Sequence, residues 1–84
     1  MALALRNLSV LCYSNGFTLW NFKTAKDSLD SISRSGYFNA ASDMLSVEDI
    51  IVVVGKDGAR MLLVSGKTPV VHGGEDHVTT VPMS

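Results

Sequence analysis

The sequence predicts an α+β, mainly β fold: two antiparallel hairpins in a small twisted sheet or open barrel, with one or two short helices. Three observations indicate this fold. Two pairs of apolar runs are each joined by a short turn that contains glycine. The stretch between the pairs is rich in serine, which weakens long helices. The chain has 84 residues, so it is too short for a second hydrophobic core.

The first hairpin is predicted from the apolar runs 8–13 and 17–24, which flank Asn15 and Gly16. Asn-Gly between two such runs is a strong hairpin signal, because both residues tolerate a positive φ. Side chains alternate between the two faces of a strand. We therefore expect one face of the second run to point into the core, and that face carries Thr18, Trp20, Phe22 and Thr24.

Cys12, the single cysteine of the chain, lies in the first of these runs. One cysteine cannot form a disulfide within the chain. Its neighbours in the sequence are apolar or uncharged, and none of them would activate the thiol. We therefore expect Cys12 to be a small core residue rather than a reactive group.

Two short helices are predicted between the hairpins, at 27–34 and at 39–45. Asp27 and Asn39 each stand where a side chain can accept a hydrogen bond from the first turn of a helix. Gly36 follows the first predicted helix and suits the left-handed conformation that ends many helices. The serines in this stretch limit each helix to one or two turns.

The second hairpin is predicted from the run 50–54, a turn at 55–58 and a returning strand. The run 50–54 is β-branched without a polar interruption, a pattern typical of a strand that is covered on both faces. A further turn is expected at 65–67. The segment 68–71 then predicts a short edge strand, because Pro69 has no N–H to donate to a neighbouring strand.

Residues 1–71 are predicted to form a single compact β-rich domain, followed by a C-terminal arm at 72–84. The arm holds two adjacent glycines and a short β-prone piece, too little for a core of its own, so we expect it to become ordered against a partner chain. Apolar residues make up 46% of the sequence, a high share for so small a domain. Oligomerisation is a common way to bury such an excess.

Composition and charge argue against several kinds of partner. The formal net charge is −1 and the 7 basic residues form no run, so we expect no nucleic-acid binding. No stretch approaches the roughly 20 apolar residues of a membrane-spanning helix, so we expect no membrane partner. Arg6 lies inside the apolar N-terminal stretch, whereas a signal peptide carries its charge before that stretch. The sequence therefore predicts a protein that folds in a cytoplasm without export.

Two patterns suggest chemistry but lack parts of the motifs they resemble. The segment 65–68, Ser-Gly-Lys-Thr, resembles the end of a phosphate-binding P-loop, yet Met61 stands where that motif needs its first glycine, and no helix is predicted after it. Glu48 and Asp49 are interpreted as a polar turn before a strand. With no nucleophile elbow and no opposed carboxylates, we expect no enzymatic activity, no catalytic residue and no cofactor.

His72 and His77, with Glu75 and Asp76 between them, form the one metal-like cluster of the sequence. Zinc sites usually need three or four ligands at defined spacings. The glycines at 73 and 74 leave this segment without a fixed geometry, so we interpret it as a solvated loop and predict no metal site. A small enzyme or metal-dependent protein that uses the two histidines is the remaining alternative.

A series of short motifs runs in order between residues 13 and 64. They are Thr18-Leu19-Trp20, Asp27-Ser28-Leu29, Gly36-Tyr37-Phe38, Ala41, Leu45, Asp49-Ile50-Ile51-Val52 and Asp57-Gly58. In this order they resemble a family of short phage and prophage structural proteins. One departure is Glu48-Asp49, where the family has Gly-Asp in the turn before the apolar strand. The resemblance covers about three-fifths of the chain.

The resemblance implies a virion component: a small oligomeric capsid-decoration, head or fibre module without catalytic residues. Such a protein is made and folded in the cytoplasm of a host bacterium. We expect a homo-oligomer, with a trimer favoured, that contacts phage capsid or tail proteins. The alternative is a small bacterial adaptor that grips a peptide in an exposed groove at Trp20 or Tyr37.

The residues predicted to contact a partner are large or β-branched apolar residues. The aromatic residues among them lack the basic neighbours of a platform that stacks nucleic-acid bases, which also favours packing in a core. The predicted partner interface is Trp20, Tyr37, Phe38, Val70, Val71, Val78 and Val81.

Overall fold

Five strands and short helical elements make up the fold, in a computed structural model that describes residues 5–69 and 76–83. The protein is mainly β, as the sequence predicts. The strands are β1 (Leu8–Ser14), β2 (Phe17–Lys23), β3 (Ile50–Gly55), β4 (Gly58–Thr68) and β5 (His77–Pro82). The helical elements are the α-helix α1 (Leu29–Ile32) and two 3₁₀ turns, Leu5–Asn7 and Asn39–Ala41.

The strands form one mixed sheet whose spatial order follows the chain from β1 to β5. The pairs β1–β2 and β3–β4 are antiparallel hairpins, and the turn of the first falls at Asn15 and Gly16 as predicted. The two hairpins are joined by parallel pairing of β2 with β3. Parallel neighbours need a long crossover connection, and here it consists of residues 24–49. The described strands thus form an open sheet, which is one of the two predicted arrangements rather than the barrel, and it contains a fifth strand beside the two hairpins.

The described end of the chain forms β5, whereas the sequence predicted a separate arm at 72–84. β5 pairs antiparallel with β4, and Val78 is buried in the core. The predicted boundary at residue 71 therefore does not separate 77–82 from the domain. The physical reason is the length of β4: its unpaired edge offers the β-prone segment a partner within the same chain.

β4 continues through Ser65, Gly66 and Lys67, where the sequence predicted a turn. Its register with β5 shifts between Val64 and Gly66, a β-bulge that absorbs one extra residue without ending the strand. The Nζ of Lys67 donates a hydrogen bond to the carbonyl of Leu45, 2.9 Å away. The segment that resembles a P-loop end is therefore an extended strand whose lysine binds the crossover.

The helical elements of the crossover are shorter than the predicted helices at 27–34 and 39–45. Ser28 caps α1, because its side chain accepts a hydrogen bond from the amide of Ser31. Asp27, the predicted cap, stands one residue earlier, and its carboxylate accepts a hydrogen bond from a tyrosine of the crossover instead. Serine and aspartate are both good caps, so local preference does not choose between them.

β5 is held against the crossover by two hydrogen bonds at Val78. The amide of Val78 donates to the Oδ1 of Asn39, 2.7 Å away, and its carbonyl accepts from the amide of Gly36 at 2.8 Å. Asn39 therefore binds a distant strand rather than capping a helix as predicted. Gly36 has φ +89°, the left-handed conformation predicted for it, and this turn brings its amide to β5.

One hydrophobic core lies between the crossover and one face of the sheet, which we term the core face. Its members are Leu8, Trp20, Phe22, Ile32, Phe38, Ala41, Leu45, Ile51, Val53, Leu62, Val64 and Val78. Phe22 packs edge-to-face against Tyr37 and Phe38, with ring centroids 5.9 and 5.5 Å away. Burial of Trp20, Phe22 and Thr24 confirms the core face predicted for β2.

Asp49 joins the start of β3 to β2 from a buried position, only 3% exposed. Its Oδ1 accepts a hydrogen bond from the amide of Thr18 at 3.0 Å. Its Oδ2 accepts from the indole N–H of Trp20 and from the amide of Ser46, each at 3.0 Å. Charge-assisted bonds of this kind are among the stronger ones in proteins. The predicted turn before the strand is present at 47–48, but the carboxylate of Asp49 is buried and holds two strands together.

Candidate assembly surface

The face of the sheet opposite the core carries an uncharged and largely apolar surface. Strand register places one residue from each of the five strands in a row across it: Cys12, Leu19, Ile50, Leu63 and Val81. A second row on the same face contains Ser9, Asn21, Val52 and Met61. Val81 and Met61 are 43% and 41% exposed. We call the surface formed by these two rows the open face.

Cys12 lies on the open face, so the prediction that it is a core residue is wrong. The register of β1 against β2 shifts between Val10 and Cys12. Without that bulge, regular alternation would have placed Cys12 on the same face as Val10, which pairs with the core residue Trp20. The bulge reverses the alternation, and Cys12 pairs with Leu19 and is exposed.

The open face has no cover from the described helical elements. Their buried side chains all belong to the core on the opposite side of the sheet. In β3, Ile51 and Val53 are fully buried, whereas Ile50, Val52 and Val54 are only half-buried. The prediction that the run 50–54 is covered on both faces is therefore wrong for the described single chain, which covers only one face.

The open face carries no charged side chain in either of its rows. The nearest charged residue on this side of the sheet is Lys23, which pairs with Val54 at the end of β2. Exposed faces of antiparallel sheets normally alternate polar residues with the buried ones. Depletion of charge is instead typical of the centre of a protein–protein interface. The described part of the open face therefore has the composition of an interface centre rather than that of a solvated sheet face.

The open face has the size of the largest apolar patch on a typical single chain. Its two rows cover about 13 Å along each strand, and five strands at a spacing of about 4.8 Å span about 24 Å, which gives a footprint on the order of 300 Å². A patch of this size is often functional when it is found on a single chain. Two such faces packed together bury roughly 600 Å², which is less than the roughly 1,000 Å² expected of a specific protein–protein interface.

The residues predicted to contact a partner lie in different environments. Trp20, Phe38 and Val78 are buried in the core of the chain itself, and Trp20 is only 7% exposed. In this fold they stabilise the chain rather than lie on its surface, because large apolar side chains gain most from burial. Val81 is exposed on the open face. Val70 and Val71 lie outside the described residues.

Tyr37, also predicted at the interface, is half-buried against the core. Its ring contacts Phe22 and Phe38 edge-to-face, and its hydroxyl donates a hydrogen bond to Asp27. Burial raises the pKa of Tyr37 above its usual value, and the hydrogen bond to the carboxylate of Asp27 and the negative charge of that group raise it further. The neutral hydroxyl is therefore the form that the folded protein stabilises.

The raised pKa of Tyr37 predicts a loss of stability at alkaline pH. Its contribution is fully present below the pKa of an unfolded tyrosine, about 10, and is lost as the pH rises above that value. We expect the free energy of unfolding in urea to fall more steeply between about pH 9 and pH 11 in the wild type than in Tyr37→Phe. Tyr13→Phe is the control for loss of an exposed hydroxyl. Equal slopes for wild type and Tyr37→Phe would contradict this assignment.

A shallow cavity of about 300 Å³ lies beside α1, lined by Ser31, Arg34, Ser35, Gly36 and Tyr37. At its edge the Oγ of Ser35 lies 2.6 Å from the Nε2 of His77. A serine hydroxyl within hydrogen-bond reach of a histidine is the first requirement of a nucleophilic pair. This pair was not predicted from the sequence, because its two members lie 42 positions apart.

Two further requirements for catalysis are not met around this pair. The nearby amides are engaged: Gly36 donates to the carbonyl of Val78, and Tyr37 donates to the carbonyl of Arg34. They are therefore not free to stabilise an oxyanion. Among the described residues, no hydrogen bond orients the second ring nitrogen of His77. The contact is thus best explained as a hydrogen bond that holds β5 against the crossover.

No group of three or more histidine, cysteine, aspartate or glutamate side chains within residues 5–69 and 76–83 is placed to hold a metal ion. The amide of Asp76 donates to the Oγ of Ser42. His72 and Glu75 lie outside the described residues, so the predicted cluster is described only in part. In the same two ranges, no helix is long and apolar enough to cross a membrane.

Sequence reasoning identified only one residue of the open face, Val81. A signal for the others is present in β4, where Met61 and Leu63 alternate with the core residues Leu62 and Val64. Four consecutive apolar residues in a strand make both of its faces apolar. Read together with the run in β3, this pattern predicts two neighbouring strands that need cover on both sides.

Comparisons with known proteins give no independent assignment. No protein-family model, no curated protein and no solved structure matches this chain. The geometry of the open face is therefore the structural observation from which a function is proposed.

Proposed function

We propose that this protein is a non-catalytic structural subunit that assembles with copies of itself through the open face, and that it serves in a phage virion as a capsid-decoration, head or fibre component. The observation that carries this proposal is the largely apolar, uncharged open face, which lies opposite the hydrophobic core that the described residues form. The resemblance of the sequence to phage and prophage structural proteins supports the virion as its location.

The proposed assembly is a homotrimer in which three open faces surround a common three-fold axis. Each copy contributes Leu19, Ile50 and Leu63 from the centre of the first row to a shared core. About 300 Å² of each open face is then removed from water. A closed symmetric ring buries the same patch on every copy and leaves none exposed. The subunit is made and folded in the host cytoplasm and then binds capsid or tail proteins.

The alternative of a peptide-gripping adaptor has less support. It requires an exposed groove at Trp20 or Tyr37. The indole of Trp20 is buried and donates to Asp49, and the hydroxyl of Tyr37 donates to Asp27. Both side chains are therefore engaged within the chain, and the open face is the better candidate for contact with another protein.

The trimer is tested by measuring the solution mass with light scattering over a concentration series. At the low end of the series we expect the wild type to have three times the 9.0 kDa of one chain. The double variant Met61→Lys/Val81→Lys should lose the trimeric mass, because it places two charges in an interface that has no opposite charge to pair with them. Both side chains are more than 40% exposed in the single chain, so the variant should still fold.

A matched control is Met44→Lys/Val47→Lys. It changes the same residue types at 43% and 48% exposure, but in the connection between the second 3₁₀ turn and β3, away from the open face. This control should keep the trimer. A wild type that is monomeric at every concentration would refute the proposed assembly. A stable dimer that Met61→Lys/Val81→Lys dissociates would keep the open face as the contact but reject the three-fold arrangement.

The virion location is tested separately. Particles released from a bacterial culture that carries the gene are purified by density gradient and analysed by mass spectrometry. We expect the chain in the particle fraction, in a fixed ratio to the major capsid or tail protein. Its presence only in the soluble cell fraction would reject the virion role while leaving the self-association of the chain as a separate result.

A further inference from the structure

We infer that β1 is a second self-association contact, at which two oligomers join edge to edge by antiparallel pairing of β1 with β1 of another copy. This inference rests on the proposed function, since it concerns how the proposed oligomers connect. It involves a different surface, however: the open face is a face of the sheet, whereas this contact is one of the two edges of the sheet.

β1 is an edge strand of the described sheet. Its outer backbone N–H and C=O groups have no strand beside them among the described residues. Proteins usually block such edges with charged side chains, proline, a β-bulge or a very short strand. β1 has seven residues, none of them charged and none of them proline, and its bulge lies between Val10 and Cys12, which leaves 12–14 regular. Its apolar side chains are unusually exposed, at 54% for Val10, 56% for Leu11 and 80% for Tyr13.

The opposite edge of the sheet differs from β1 in these respects. β5 has six residues and ends at Pro82, which has no N–H to donate to a further strand. At its other end, the ring of His77 is engaged by Ser35. The two edges are therefore not equivalent, and β1 is the edge that is chemically suited to accept another strand.

A second copy of β1 is the occupant that this edge fits. Two identical antiparallel strands are related by a two-fold axis, so each copy presents the same residues to the other. Because β1 carries no charge, no like charges face each other across the pair. Strands of a charged partner would gain no ion pair here. The uncharged, apolar character of the edge therefore favours self-pairing.

The bulge in β1 sets the register of the pairing. It lies between Val10 and Cys12, so the regular stretch available after it is 12–14. Pairing centred there places Tyr13 opposite Tyr13 of the second copy, and aromatic cross-strand pairs are favourable. In that register Val10 and Leu11 lie near the hairpin turn of the second copy and are shielded from water. The three most exposed apolar residues of the strand are then covered together.

The test compares four proteins by sedimentation velocity over a wide concentration range. They are the wild type, Tyr13→Lys, Met61→Lys/Val81→Lys, and the triple variant that combines these three substitutions. We expect the wild type to pass from trimer to hexamer as concentration rises, and Tyr13→Lys to stop at the trimer. Met61→Lys/Val81→Lys should form only a dimer, through β1. The triple variant should remain a monomer.

Controls separate the two contacts and exclude misfolding. Leu11→Lys should repeat the effect of Tyr13→Lys, whereas Leu5→Lys, in the 3₁₀ turn before β1, should not. Emission of the single, buried Trp20 reports folding in every variant. A wild type that never exceeds the trimer, or a Tyr13→Lys variant that still forms the hexamer, would overturn the edge contact alone. A dimer that Tyr13→Lys dissociates and Met61→Lys/Val81→Lys does not would instead keep the edge and reject the open face.

Discussion

Asp49→Ala is expected to lower the free energy of unfolding by about 3–5 kcal/mol, because it removes the carboxylate that accepts hydrogen bonds from one buried and two partly buried donors. Those donors are the amides of Thr18 and Ser46 and the indole N–H of Trp20. Each unsatisfied buried donor costs about 1–3 kcal/mol. A small domain has about 5–10 kcal/mol of stability in total, so the variant should be largely unfolded on mild heating.

Urea unfolding measures this loss, with emission of the single Trp20 as the signal. Asp43→Ala is the matched control: Asp43 is exposed in the same connection, and its loss should change stability by less than about 0.5 kcal/mol. Asp49→Asn should fall between the two, because an amide keeps one accepting oxygen. A value for Asp49→Ala within about 1 kcal/mol of the wild type would show that water or a shifted backbone replaces the carboxylate.

A double-mutant cycle with Trp20→Phe isolates the bond between the indole and the carboxylate. Trp20→Phe removes one donor and some core volume. In the Asp49→Ala background that donor no longer has an acceptor to lose, so the same substitution should be less harmful there. Residues joined by a hydrogen bond typically show a coupling of about 0.5–3 kcal/mol. Strict additivity would mean that the two side chains stabilise the fold independently.

The hairpins and the core face of β2 were predictable because their signals are local. Asn15 and Gly16 form a turn through their own backbone preferences, and Gly16 has the positive φ, +113°, that such turns use. Alternation along β2 identifies Trp20 and Phe22 as core residues with no knowledge of what covers them. Residues within a few positions of each other carry all of this information.

The roles of several polar residues were not predictable, because they depend on distant partners. Asp27 and Asn39 are suited to cap helices, but tertiary contacts with Tyr37 and Val78 engage them instead. Polar side chains of this kind bind whichever backbone or side-chain group the fold brings near. Asp49 is the clearest case, since two of its donors lie 29 and 31 positions away and reach it only when β2 and β3 pair in parallel.

The open face shows how a wrong prediction can still be informative. The run 50–54 predicted cover on both faces, and the described chain supplies cover on only one. In the proposed assembly the second face of β3 would be covered by another copy of the chain. If the proposed trimer forms, Ile50 and Val52 gain the cover that the pattern indicates. The wrong prediction that Cys12 is a core residue has a different cause. The bulge in β1 reverses the alternation of side chains between the two faces of the strand, so Cys12 lies on the open face.

Gly55→Ala is expected to destabilise the fold by about 2–3 kcal/mol through a steric conflict with the crossover. A Cβ at this position would lie 2.9 Å from the carbonyl oxygen of Asp27, 3.1 Å from the Cδ1 of Ile32 and 3.2 Å from the amide nitrogen of Leu29. The same carbonyl accepts a hydrogen bond from the amide of Lys56 at 3.0 Å. Relief of the conflict therefore has to move backbone that is already bonded to the β3–β4 turn.

The melting temperature should fall by about 10–20 °C in Gly55→Ala, given about 4–8 °C per kcal/mol for a domain of this size. The double variant Gly55→Ala/Ile32→Val identifies the atom responsible. Shortening Ile32 relieves only its own contact, so the double variant should be no more stable than Gly55→Ala. If Ile32→Val restores the melting temperature, the conflict lies with a flexible side chain. If Ile32→Val does not restore the melting temperature, the conflict is with the backbone carbonyl of Asp27, near the start of the crossover. No side-chain substitution can then relieve it.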